Sequence, residues 1–238
     1  MAGVPATTRR GAGRVWLFDL DNTLHDAGSR VFGALHQAMN DYVVRELRLP
    51  AEEANRLNRH YWHRYGATLL GLVRHHGVRP DHFLHDTHCL PELEQWLSGR
   101  RADFAALARL SGRKFILTNA PRAYALRVLG ALGIAGLFDA VFTIEDMAMF
   151  GQLRPKPDAR MLRRLAASLG AAPHRCVLVE DTLQHLKAAR RVGMGTVWMQ
   201  HYARRSAHDG PTPLRWTVRP PYVDRCVRGL RQLQRSGR

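Results

Sequence analysis

A chain of 238 residues, 45% hydrophobic and 24% charged, can bury the core of one large α/β domain or of a catalytic domain with a smaller insert. No apolar run approaches the roughly 20 residues of a membrane-spanning helix, which excludes a helical membrane protein. The 36 Lys and Arg against 20 Asp and Glu leave a net charge of +16, but only Lys114, Lys156 and Lys187 are lysines and the arginines are spread over every segment, so a solvated basic surface that steers small anions is favoured over a dedicated nucleic-acid face.

Before residue 14 there are arginines but no apolar stretch that could serve as a signal-peptide core. Cys89, Cys176 and Cys226 are too widely spaced for a disulfide framework or a zinc knuckle. The expectation is a soluble cytoplasmic protein with reduced cysteines and no membrane partner. Monomer and homodimer remain open.

The first element is Arg14-Val-Trp-Leu-Phe-Asp19, a short apolar run bounded by charge, which reads as a buried central strand of a parallel sheet. From Ser29, a plausible N-cap, to about residue 97 the pattern turns helical. Val31, Leu35, Ala38, Met39, Tyr42 and Val43 share one face, and Pro50 with Glu52 and Glu53 opens a second helix. Further helices follow at 68–75, near Phe83, and at 91–97. With no strand signal in the block, residues 27–99 read as an inserted all-helical cap, and 14–26 with 100–238 as the core.

From residue 102 strands and helices alternate: helix 102–110, strand 114–118, helix 122–132, strand 140–143, helix 158–169, strand 176–180, helix 183–192 and strand 196–199. Gly133, Gly170 and Gly193 stand where helices should stop. This rhythm predicts a Rossmann-like, doubly wound parallel sheet with its crevice at the carboxyl ends of the strands. The tail carries Pro211, Pro213, Pro220 and Pro221, then one amphipathic segment at 223–233 with Leu230 and Leu233 on a possible helix face.

Chemistry-bearing residues concentrate at those strand ends. The first strand ends Asp19-Leu-Asp21-Asn-Thr23, the second Thr118-Asn119, a later one Glu180-Asp181, and Lys156 sits in Arg154-Pro-Lys156-Pro-Asp158 before a helix. Asp19 and Asp21, two apart on extended chain, leave on the same side and repel unless a cation or proton intervenes. Asp181 adds oxygens for a small hard cation, for which Mg²⁺ is the natural choice. Asp19 could then attack phosphorus while Lys156 offsets the charge of a phosphate, Thr118 holds its oxygens, and Asp21 carries a proton to the leaving alcohol.

Together these four motifs resemble those of the haloacid dehalogenase superfamily of phosphohydrolases, in order and over about 14–200. The resemblance implies Asp19 as nucleophile and Asp21 as acid/base. It implies Mg²⁺ on Asp19, the main-chain carbonyl of Asp21 and Asp181, with Glu180 behind them, and Thr118 and Lys156 at the phosphoryl group. A finer resemblance, in Tyr61-Trp-His-Arg-Tyr65-Gly66-Ala-Thr68-Leu-Leu-Gly71-Leu72, in the segment 117–129 and in Ile144-Glu-Asp-Met147, is to the pyrimidine 5′-nucleotidase branch. It implies a phosphomonoesterase for a small phosphorylated substrate, a pyrimidine nucleoside 5′-monophosphate.

Tyr61 and Tyr65, one turn apart, either form a wall for a base, with Thr68 offering a hydrogen bond, or simply pack the cap. Asn119 either touches phosphate or buttresses its loop. His82, His85 and His88 recur every third residue, but nothing supplies the converging ligands zinc needs. The alternatives are a phosphatase or mutase for a sugar phosphate or another small metabolite, and, in another class, a nucleic-acid-associated protein that keeps the fold without activity.

Overall fold

The computed structural model describes residues 13–28, 30–202 and 218–235; Ser29, Pro211 and Pro213 lie outside them. Strand β1 (Val15–Phe18) is wholly buried, with Val15 and Leu17 in the core on one face of the sheet and Trp16 and Phe18 in the core on the other. Period-two alternation of four apolar residues feeds both layers, and each such side chain stabilises the fold by roughly 1.5–3 kcal/mol on burial.

The remaining core elements are α6 (Arg101–Arg109), β2 (Arg113–Leu117), α7 (Arg122–Ala131), β3 (Ala140–Phe142), the hairpin β4 (Ala148–Met149) and β5 (Gln152–Leu153), α8 (Ala159–Ser168), β6 (Cys176–Glu180), α9 (Leu183–Arg191), β7 (Gly195–Met199) and β8 (Arg225–Val227). Six strands form one parallel sheet in the order β3-β2-β1-β6-β7-β8. The order reverses at β1, where crossovers on opposite faces part and leave a crevice at the carboxyl ends. Phe18 lies level with Ile116 and Val179, so the next residue, Asp19, emerges beside the ends of β2 and β6.

Between β1 and α6 stand α1 (Val31–Leu47), α2 (Ala51–Tyr65), α3 (Thr68–His76), α4 (Pro80–His88) and α5 (Leu93–Trp96). The first four build a separate apolar cluster around Tyr42, Val43, Tyr61, Leu72 and Phe83. Gly71 is required there, since a Cβ on it would fall 2.1 Å from the Tyr61 ring. Gly66, at φ 80°, ends α2 in the left-handed region, and a Cβ on it would come within 3.2 Å of Pro157, where cap and core approach.

The tail differs from the expected single amphipathic segment. Residues Arg225–Val227 add the sixth strand, and Leu230–Arg235 form a 3-10 turn whose Leu230 and Leu233 are buried against the core. Asp224 fixes that edge by accepting from the Thr196 amide at 2.9 Å. Leu230 and Leu233 do share one helical face, while the backbone bonds that β7 offers draw 225–227 into a strand. No helix among the described residues is long and apolar enough to cross a membrane.

Candidate active site

Asp19 leaves the end of β1 with its amide bonded to Val179 O at 2.9 Å, which fixes it between β1 and β6. The chain then turns back through Asn22, at φ 56°, a left-handed conformation that Asn tolerates. Asn22 Oδ1 accepts from the Ala27 amide and Thr23 Oγ1 donates to Asp19 Oδ2 at 3.2 Å, so the loop is built around the carboxylate.

Lys156 is 1% exposed, and its ammonium donates to Asp19 Oδ1 at 2.6 Å and Glu180 Oε2 at 2.7 Å. Asn119 positions it: Oδ1 accepts from the Lys156 amide at 3.0 Å, and Nδ2 donates to the Lys156 carbonyl at 2.9 Å. Both ends of the Asn119 amide are thus used on that backbone. These contacts match the buttress reading; Asn119 also lines the cavity described below, and its second Nδ2 hydrogen is not spent on Lys156. Thr118, buried at the end of β2, accepts from the Ala120 amide at 3.1 Å.

Asp19, Glu180 and Asp181 each offer an oxygen within 4.8 Å of the others. One ammonium cannot neutralise three carboxylates in so small a volume. Burial, reinforced by the Glu180 charge, pushes Asp19 up to about 7 despite Lys156. Burial and the charges of Glu180 and Asp19 raise Asp181 well above the carboxylate range. Burial opposes the charge of Glu180 too, yet Lys156 and His185 hold that carboxyl low, and Lys156 stays protonated between its two partners. A cluster of hard oxygens short of positive charge fits a hard divalent cation such as Mg²⁺.

The cluster forms the floor of a cavity of about 720 Å³, a size suited to a small organic ligand. Asp21, Thr118, Asn119, Lys156, Glu180 and Asp181 line it from the core, together with Thr68 from the cap. Tyr61 and Tyr65 do not line it. Tyr61 stacks on His75 and its hydroxyl pairs with His76 at 2.8 Å; the Tyr65 hydroxyl pairs with His75 at 2.6 Å. Both belong to cap packing, as the second sequence reading had it. Thr68 directs its hydroxyl to Asn58 O at 3.2 Å.

The face of α2 toward the cavity is instead Asn58, Arg59, Trp62, His63 and Gly66, joined by Phe32 and His88. Sequence reasoning missed these, and also His185, whose Nδ1 lies 3.0 Å from Glu180 Oε2. Its place one turn beyond Asp181 in α9 was a usable signal. Adjacent helical residues point about 100° apart, so Tyr61 turns toward α3 while Trp62 faces the cavity. Asn58 is buried with neither amide atom bonded to any described residue.

A doubly wound parallel sheet whose topological switch carries a carboxylate cluster and a buried lysine, beneath a helical cover, defines a Rossmann-like α/β protein with its crevice at the carboxyl ends of the strands. Over residues 14–193 the sequence matches the haloacid dehalogenase-like hydrolase family, to which this chain belongs. Phosphate metabolism protein 8 of Saccharomyces cerevisiae is 26% identical over 199 residues, 78% of this chain and 61% of that protein. Validoxylamine A 7′-phosphate phosphatase of Streptomyces hygroscopicus subsp. limoneus is 30% identical over 79 residues, 33% of this chain and 35% of that one. The chain therefore spans less than two thirds of either relative. A crystal structure of a HAD phosphatase from Thermococcus onnurineus superposes with a TM-score of 0.60 at 22% identity, covering 93% of this chain and 96% of that one.

Proposed function

We propose that the protein is a Mg²⁺-dependent phosphomonoesterase that works through an aspartyl-phosphate and acts on pyrimidine nucleoside 5′-monophosphates. The observation that carries the chemistry is the buried Lys156 ammonium, 2.6 Å from Asp19, on the floor of a cavity large enough for a nucleotide. The names of the two sequence relatives, both concerned with phosphate, support it. The base-bearing substrate rests on the resemblance of 61–72 to the nucleotidase branch, and on aromatic cavity walls from Phe32, Trp62 and Phe83.

Asp19, Asp181 and the backbone carbonyl of Asp21 would hold the magnesium, with Glu180 behind them. Bound there, the ion supplies Lewis-acid polarisation of the phosphoryl group. Asp19 attacks phosphorus as the ester oxygen leaves with a proton from Asp21. Asp21 then takes a proton from the water that cleaves the acyl phosphate. Lys156 and Thr118 hold phosphoryl oxygens, and the cap limits bulk water.

A phosphate-release screen over nucleoside monophosphates and sugar phosphates, with Mg²⁺ or with EDTA, tests this reading. Release from UMP or CMP that needs Mg²⁺ and is lost in Asp19→Asn supports it. Release from sugar phosphates alone favours the second reading, a phosphatase or mutase for another small metabolite, to which the 7′-phosphate named for the Streptomyces relative lends weight. Release from neither class removes both.

A further inference from the structure

Asp21 is bound in an unusual way for a group that must exchange protons. Two donors converge on the same oxygen: Tyr124 Oη donates to Oδ1 at 2.7 Å, and His25 Nε2 lies 2.9 Å from that atom. The other oxygen, Oδ2, has no hydrogen-bond partner among the described residues, and Asp21 lines the cavity. Both donors are firmly seated. Tyr124 is 1% exposed in the first turn of α7, its ring against His88, and His25 is fully buried. A carboxylate only accepts, so the imidazole proton lies on Nε2, which leaves the buried Nδ1 without a partner. That cost of an unpaired nitrogen is accepted in order to place a donor on Asp21.

We infer that Tyr124 and His25 are positioning residues for the proton transfer, a reading that rests on the phosphomonoesterase assignment above. By holding Oδ1 they fix the plane of the carboxyl group and present Oδ2 to the substrate. As the Asp19 oxygen bonds to phosphorus and the ester P–O bond breaks, the proton on Oδ2 passes to the departing alkoxide oxygen. In the second half the Oδ2 carboxylate takes a proton from water as its oxygen bonds to phosphorus and the bond to Asp19 breaks. Tyr124 and His25 keep their own protons throughout.

The test separates positioning from a general structural role through the leaving group. An alkyl ester such as uridine 5′-monophosphate needs a proton on its departing oxygen, whereas p-nitrophenolate leaves without one. Single-turnover release of the leaving group is measured for both, with enzyme in excess and Mg²⁺ present. In Tyr124→Phe, uridine release is expected to slow by about 10- to 100-fold, within the span of general acid catalysis. Release of p-nitrophenolate should slow by less than about threefold, with half-saturating concentrations little changed. His25→Leu should show the same asymmetry, and His25→Gln, which keeps an N–H donor, should restore part of it. The pair also covers the case in which Tyr124→Phe fails to fold. Equal slowing of both substrates, or of neither, in the folded variants overturns the inference. Failure of the wild type on both esters would instead remove the assignment it rests on.

Discussion

The Lys156 ammonium donates to Asp19 Oδ1 over 2.6 Å across 137 residues of sequence, and the same nitrogen reaches Glu180. A buried cation shared by two carboxylates holds Asp19 in position and limits the charge that collects there.

Replacing Lys156 with Met leaves buried Asp19 without its ammonium and Glu180 with His185 as its remaining cationic partner. Breaking a buried pair of this kind costs about 3–5 kcal/mol. Without the ammonium Asp19 protonates more readily in the folded state than in the unfolded chain. The fold then binds the extra proton, so Lys156→Met should regain stability as pH falls from 8 to 5. Urea unfolding at the two pH values measures this, and a loss that stays constant across the range would contradict the charge argument.

His88 is held neutral. Burial pushes it down to about 4 against the pull of Asp21 and Glu145. The unfolded chain therefore binds more protons between about 4 and 6.5, and this contribution to stability is lost as pH falls through that window. Asp19, pushed up to about 7, acts in the opposite sense over much of the same range, so the wild-type profile alone is uninformative. The difference from His88→Gln isolates the term. The stability of wild type relative to the variant should fall by up to about 3 kcal/mol between pH 7.5 and pH 4, and a flat difference would show that His88 does not titrate as described.

The motif residues were legible in the sequence because each stands where an apolar strand ends, and strand order alone carries Asp19, Thr118 and Asp181 to one rim. Cap contacts were not legible in that way. Tyr61 and Trp62 are neighbours in sequence, and only the approach of α3 at Gly71 turns the first inward and leaves the second at the cavity. Tyr124 meets Asp21 from the far side of the cap, 103 residues away, and no local pattern announces that meeting; His25, four residues from Asp21, and His185, one turn beyond Asp181, were within reach of local spacing. Strand β8 is three residues long and exists because β7 offers it an edge.

Cys176 is buried and its thiol is pushed up to about 11 by that burial, although Arg113 pulls the other way; Cys89 is exposed. Thiolate is the reactive form, so iodoacetamide at pH 8 should label Cys89 at once and Cys176 only after unfolding. Peptide mapping of the labelled native protein follows this, and early modification of Cys176 would show that the second core layer opens far more readily than its packing implies.

The role given to Asp19 is tested most directly by quenching the wild-type enzyme in acid during turnover of a phosphomonoester and sequencing its peptides by mass spectrometry. A phosphoryl group on the peptide that carries Asp19, absent from Asp19→Asn, is the expected result. Steady phosphate release with no adduct at Asp19, or undiminished release by Asp19→Asn, would contradict the account.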